Sequence, residues 1–262
     1  MRRRILNYIL KPFYYIRDGA FSNTIILIYS MGKVGSTSIY FSLKKKLPVT
    51  DIFHVHFLSD YWLNEKLPRM NKYFHGNINH GKEILSHIRK NPGKRIKIIT
   101  LVREPISRDV SDFFQNWKSE YKNIEGIKTE QILQAIEENK HEYTLNWFDT
   151  EFKNYLGFDV YKIPFDTEKG YKIYNLPNID ILCLKLEEIN KTGHKALNEF
   201  LGIQLSLLNK NTSLEKKGKE LYLEVKKKYK ASKSKLHELY SSNYVRHFYT
   251  EEEINTFKEK WG

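Results

Sequence analysis

The sequence predicts an α/β fold of three layers, with a central parallel sheet, helices on both of its faces and a helical C-terminal tail. Three observations predict it. The run "TIILIYS" at residues 24–30 is continuously apolar and rich in β-branched residues, which marks a strand buried on both faces. "RIKIITLV" at 95–102 and "IDILCLKL" at 179–186 repeat that character. Segments with apolar residues at helical spacing stand between and after these runs, and strand alternating with helix is the order of a parallel sheet covered on both faces.

After the first strand a helix is expected from about Ser36 to Lys46, ending before Pro48. "DIFHVHFL" at 51–58 reads as the next strand, and "GKEILSHIRK" at 81–90 as a helix halted by "NPG". The strand at 95–102 leads into a helix with Pro105 in its first turn, where the missing N–H costs nothing. Residues 118–156 read as mostly helical, from the apolar spacing of "TEQILQAIEEN" and "YTLNWFDTEFKNYL". "DVYKIPFDTEKGYKIYNL" at 159–176 alternates about Gly170 and reads as a hairpin. The run at 179–186 supplies a fourth sheet strand, and the charged remainder, 209–262, reads as helical. With no internal repeat and no low-complexity linker, one domain is expected over 1–262, carrying a basic N-terminal extension at 1–22.

Composition bounds the partners without choosing among them. A chain of 262 residues buries a substantial core, and its formal charge of +13 attracts anions: a nucleotide, an acidic glycan, a nucleic acid or a membrane surface. The single cysteine, Cys183, has no internal partner and sits in an apolar run, so a buried structural thiol is expected. No apolar run reaches the length that spans a bilayer. The start, "MRRRILNYILKPFYYIRDG", is interrupted by Asn7, Lys11, Pro12 and Arg17 and lacks a clear cleavage site, so it does not read as a signal peptide. Two readings stay open for it: an amphipathic segment in peripheral contact with an anionic membrane, and a basic extension packed on the domain.

The chemistry begins at "SMGKVGSTS", residues 30–38. A Walker A loop reads G-x-x-x-x-G-K-[ST], whereas here Lys33 precedes Gly35 and the hydroxyls of Ser36, Thr37 and Ser38. A strand feeding a glycine-bearing turn into a helix start still suits an anion. Backbone N–H groups at 35–38 and the helix dipole face it, and Lys33 adds a positive charge. An ordinary strand-to-helix turn requires only a capping serine. The second motif is "KIITLVREPISRDVSDFF", which puts Arg103 at the end of a strand and Ser111 eight residues later. Arg103 would stand at the carboxyl edge of the sheet, where open α/β folds bind ligands, and a guanidinium can bond two phosphate oxygens at once. Ser107 and Ser111 share a helix face. Alone, Arg103 would read as a structural ion pair with Glu104 or Asp109.

Together, K-x-G-[ST]-[ST]-[ST] after a first strand and the later Arg–Ser pair resemble the sulfotransferase superfamily, whose donor is 3′-phosphoadenosine 5′-phosphosulfate (PAPS). "VREPISRDVSDFFQN" with the late "LYSSNYVRHFYTEEEINTFKEKW" is similar to the bacterial capsular polysaccharide synthesis proteins, which are sulfotransferase-like. The resemblance implies a P-loop-like phosphosulfate-binding loop at Lys33, Gly35, Ser36, Thr37 and Ser38, and a 3′-phosphate held by Arg103 and Ser111. It implies that Lys33 neutralises the oxygen between phosphate and sulfate as the S–O bond breaks. No metal is expected, since no γ-phosphate has to be bridged. The implied reaction moves a sulfuryl group from PAPS to a glycan hydroxyl, in capsular or cell-surface polysaccharide synthesis. With a cytosolic donor and no export signal, a cytoplasmic location, at or near the inner membrane face, is expected.

A base must take the acceptor's proton. His54 and His56, two apart on a strand, point to one side of it, and His56 is the first choice because it lies nearer the strand's C-terminal end. Glu83 and His141 are fallbacks on residue type alone. His75, His80 and His87 have no zinc-site spacing. "EKKGK" at 215–219 resembles the basic segment that closes over the 3′-phosphate in some sulfotransferases, which makes Lys210 and Lys217 secondary candidates, though a solvated charged face explains them better. Two other function classes compete. A P-loop kinase or NTPase requires a Walker lysine and an acidic strand end, and the loop order opposes it. A non-catalytic basic module would bind an anionic polymer, but no nucleic-acid motif appears and no nucleic acid is expected as partner.

Overall fold

The computed structural model describes residues 19–70, 72–120, 128–207 and 216–262. The N-terminal extension through residue 18 and Lys210 lie outside the described residues, as does the side chain of Lys217. Among the described residues five strands form one sheet: β1 Thr24–Tyr29, β2 Asp51–Val55, β3 Arg95–Val102, β4 Tyr171–Asn175 and β5 Ile179–Lys185, in the order β2-β1-β3-β5-β4. The first three and β5 run parallel, with Ile25 opposite Ile96, Ile28 opposite His54 and Ile99 opposite Leu182. All six residues of β1 are buried, as its unbroken apolar run requires of a strand covered on both faces.

Among the described residues the helices longer than one turn are α1 Ser36–Lys46, α2 His75–Lys90, α3 Pro105–Glu120, α4 Thr129–Glu138, α5 Glu142–Trp147, α6 Gly193–Leu201, α7 Lys216–Lys228, α8 Lys233–Tyr240, α9 Asn243–Phe248 and α10 Glu251–Trp261. Two wider π-helical turns, Tyr61–Lys66 and Phe148–Lys153, extend the pattern after β2 and α5. None of the described helices is long and apolar enough to cross a membrane.

The segment read as a hairpin about Gly170 differs in one arm. Residues Val160–Lys162 form a short 3-10 turn followed by Pro164, so only Tyr171–Asn175 extends. Its partner is β5, reached through the three-residue turn 176–178. A connection that short can join only antiparallel strands, so β4 breaks the parallel order at the sheet's edge. Cys183 is wholly buried in β5, and burial pushes its thiol up, as a structural cysteine requires.

Candidate active site

The loop between β1 and α1 has a left-handed backbone at two places, Lys33 with φ 69° and Gly35 with φ 79°. Gly35 requires its glycine: a Cβ there would meet Leu186 Cδ1 at 2.6 Å. Gly35→Ala is therefore expected to cost about 1–2 kcal/mol of stability. A lowered urea midpoint checks this, and an unchanged one would mean the loop leaves the left-handed region at no cost. Lys33 has no such excuse of size, and its strained backbone is gripped from across the sheet. Arg103, just past β3, donates from Nη1 to the Lys33 carbonyl at 2.8 Å. The ion pair with Glu104 or Asp109 that a lone Arg103 suggested is not among the described contacts; Asp109 pairs with Arg108 instead.

The rest of the loop divides between exposed and buried groups. Thr37 is exposed, and Ser38 is half-buried with its N–H closing the first turn of α1 on the Gly35 carbonyl at 3.2 Å. Ser36 is buried, and its Oγ lies 2.8 Å from His54 Nε2. Thus His54, at the end of β2, meets the loop directly. His56 falls one residue past the strand, yet the two imidazoles remain side by side, with ring centroids 4.9 Å apart. Burial, and then His56 and His80, hold His54 down to about 3, so its ring is neutral across the neutral range. Burial also lowers His56, with Arg108, His80 and Lys33 adding to the effect against a hydrogen bond to Ser30. That bond fixes the tautomer. His56 Nδ1 lies 2.6 Å from the Ser30 carbonyl, which can only accept, so the proton sits on Nδ1 and the Nε2 lone pair is bare. Burial lowers Lys33 too; Asp112 opposes the shift, and Arg103 and Arg108 reinforce it.

Ser111 is half-buried on α3, one turn beyond Ser107. Of the fallback bases, Glu83 is exposed on α2, while His141 is buried against Asp109. His80 Nε2 bonds the His54 carbonyl at 2.9 Å, and His87 pairs with Asp51 at 3.1 Å. No group of three His, Cys, Asp or Glu among the described residues is placed to hold a metal.

Several residues that support the site carry no motif. Buried Arg108 donates through Nε to the Gly32 carbonyl at 3.0 Å, pairs through its two terminal nitrogens with Asp109 at 2.6 Å and Asp112 at 3.3 Å, and lies over the Tyr143 ring at 4.6 Å. Gly32 N–H in turn donates to the Tyr143 hydroxyl at 3.2 Å. The one available signal was the Arg108–Asp112 spacing of four on a helix. Glu151, fully buried in the second π-helical turn, accepts from Leu58 N–H at 2.9 Å, Ser59 N–H at 3.1 Å, Ser59 Oγ at 2.9 Å and the Tyr29 hydroxyl. Trp147 Nε1 donates to the His56 carbonyl at 3.3 Å. The turn that carries His56 is thereby held at both its N–H and C=O groups. At Arg103 the Tyr244 hydroxyl accepts from the backbone N–H at 3.0 Å and donates to the carbonyl of the same residue at 2.9 Å. Glu104 caps α3 by accepting from Ile106 and Ser107 N–H, both at 2.8 Å, and is itself bonded by Tyr240 at 2.8 Å and Trp261 at 3.1 Å.

No curated protein and no solved structure matches the chain. A family model described as "Putative capsular polysaccharide synthesis protein" matches residues 121–250. That stretch begins after the loop, the histidines and Arg103, and it contains the residues that brace them: Tyr143, Glu151, Tyr240 and Tyr244. Over residues 121–250, just under half of its length, the chain is similar to the capsular polysaccharide synthesis family.

Proposed function

We propose that the protein is a PAPS-dependent sulfotransferase acting on a glycan hydroxyl, in capsular or cell-surface polysaccharide synthesis. One observation supports the reading above the others. The loop, Arg103 and the two histidines come from three different strand ends, yet all converge at one carboxyl edge, with contacts of 2.8 Å from Arg103 to the Lys33 carbonyl and from Ser36 to His54. The similarity to capsular polysaccharide synthesis proteins supports the glycan acceptor.

In this reading the loop and Lys33 take the 5′-phosphosulfate, and Arg103 with Ser111 takes the 3′-phosphate. His56 Nε2 accepts the acceptor's hydroxyl proton as its oxygen bonds to sulfur. The bond from sulfur to the bridging oxygen breaks, that oxygen keeps the electron pair, and Lys33 neutralises its charge. Adenosine 3′,5′-bisphosphate leaves. The neutral state of His56 suits a base, and the Ser30 carbonyl stabilises the imidazolium that forms. A kinase reading finds less support. Lys185 ends β5 in an ion pair with Glu253 at 2.7 Å, so the strand does not end in the acidic residue that would organise magnesium, and Glu187 beyond it already accepts from Glu104 N–H and Tyr249.

Calorimetric titration with adenosine 3′,5′-bisphosphate and with ATP, in excess EDTA, tests this. The bisphosphate is expected to bind without metal, and Arg103→Ala to weaken it roughly 10- to 150-fold, the worth of a charge-assisted hydrogen bond. A preference for ATP that appears only with magnesium would overturn the sulfotransferase reading.

A further inference from the structure

The last turn of α10 returns to the start of α3. Lys260 Nζ lies 3.3 Å from Ser107 Oγ and 4.2 Å from the ring centre of Trp261. Trp261 is buried and donates to Glu104, so the residue next to Lys260 is anchored to the same turn that follows Arg103. Lys260 is exposed along its side chain, while its amine end is half-enclosed against Ser107 and Trp261.

Two cations and two carboxylates surround it. Burial lowers the Lys260 amine; Lys226 and Arg103 lower it further, and Glu104 and Glu187 work against them. Lys226 comes from α7, Arg103 from just past β3 and Lys260 from α10, so cations of three separate elements act on one another through space. Among the described residues none of the three has a carboxylate within ion-pair distance. The nearby carboxylates are already engaged: Glu104 by two backbone N–H groups, Tyr240 and Trp261, and Glu187 by Glu104 N–H and Tyr249. Cations near one another repel, and a dianion bound among them would relieve the repulsion. Two hydroxyls one helical turn apart, Ser107 and Ser111, line the same face of α3 as donors.

We propose that Lys260, held against Ser107 by the C-terminal helix, is a phosphate-binding residue that selects a nucleotide carrying a 3′-phosphate. The proposal rests on the donor reading above and adds to it a group from the far end of the chain. Lys260 and Arg103 would grip the phosphomonoester from opposite sides, and Ser107, now bonded to the amine, would donate to the same oxygens.

The test compares adenosine 3′,5′-bisphosphate with adenosine 5′-monophosphate by calorimetry, in wild type, Lys260→Gln and Lys260→Arg. Lys260→Gln is expected to weaken the bisphosphate about tenfold and to leave the monophosphate unchanged. Lys260→Arg should keep most of the preference, since the charge is retained. Urea midpoints near that of wild type would show that the substituted chains are folded, as expected for an exposed side chain. A wild-type preference for the bisphosphate that survives intact in Lys260→Gln overturns this inference and leaves the donor reading standing. Equal wild-type affinity for the two nucleotides overturns both.

Discussion

Replacing Arg108 by methionine is expected to destabilise the protein by about 3–5 kcal/mol, the cost of stripping one partner from a buried ion pair. Arg108 is only 4% exposed, and it is the counter-ion of two acids, Asp109 and Asp112. Burial would lower the guanidinium's affinity for its proton, but the Asp112 and Asp109 carboxylates outweigh that and raise it. The reciprocal effect appears at Asp109, where burial raises the carboxyl, yet Arg108 and His141 hold it well below the usual carboxylate range. Without Arg108, Asp109 keeps His141, Asn139 and Thr144 among the described residues, and the Gly32 carbonyl loses its Arg108 donor. Typical domains have about 5–15 kcal/mol in total, so the loss is large. It would be read as a fall in urea midpoint at unchanged slope. Arg108→Lys should recover only part, because the three guanidinium nitrogens reach three different acceptors and one ammonium cannot. Adding Asp112→Asn to Arg108→Met should restore some stability by removing one of the two carboxylates that the guanidinium had balanced. A midpoint that does not move in Arg108→Met would mean that the loop and α3 are held by packing alone.

A second large effect is expected from pH, through Glu151. Burial pushes this carboxyl up to about 7 from 4.5, while the Tyr29, Leu58 and Ser59 donors pull it back. Between those values the folded chain keeps a proton that the unfolded chain has released. The contribution is therefore present in full below pH 4.5 and is lost as pH rises toward 7. A rise of that size corresponds to about 3 kcal/mol. Glu151→Gln cannot titrate, so stability measured at a series of pH values should lose that slope relative to wild type. Parallel wild-type and Glu151→Gln curves from pH 4.5 to 7 would exclude Glu151 as the source. Glu151→Leu tests the other side of the same group. It leaves the N–H groups of Leu58 and Ser59 and the Tyr29 hydroxyl without their acceptor, at about 1–3 kcal/mol each, and should destabilise the protein at every pH.

The parallel core of the fold was legible because its signals are local. A run as rich in β-branched and apolar residues as 24–29 has few alternatives to a central strand, and Pro105 marks a helix start by its own geometry. The hairpin at 159–176 misled because alternation about Gly170 continues through Pro164, whereas the partner of β4 is set by the turn that follows it. The site was half legible. Lys33, Arg103 and the histidines announce themselves by residue type and by position after strands. Arg108, Tyr143, Glu151, Tyr244 and Lys260 do not, since each acts through a contact whose partner lies far away in sequence: 76 residues from Arg108 to Gly32, 141 from Tyr244 to Arg103 and 153 from Lys260 to Ser107. No pattern within a window can reveal a pairing of that separation.

The Tyr244 hydroxyl that bridges the N–H and C=O of Arg103 sets an order of events in the cell. Synthesis delivers the loop and Arg103 long before Tyr244, and 141 residues at ~5–20 per second is a delay of roughly 7–28 s. During that interval the nascent sheet presents Arg103 with its peptide unbraced and Glu104 without Tyr240 or Trp261. The edge that carries Arg103 is thus completed only as the chain's distal helices emerge, and a ribosome stalled after β5 would hold a domain with its strands laid down and the Arg103 turn still unbraced.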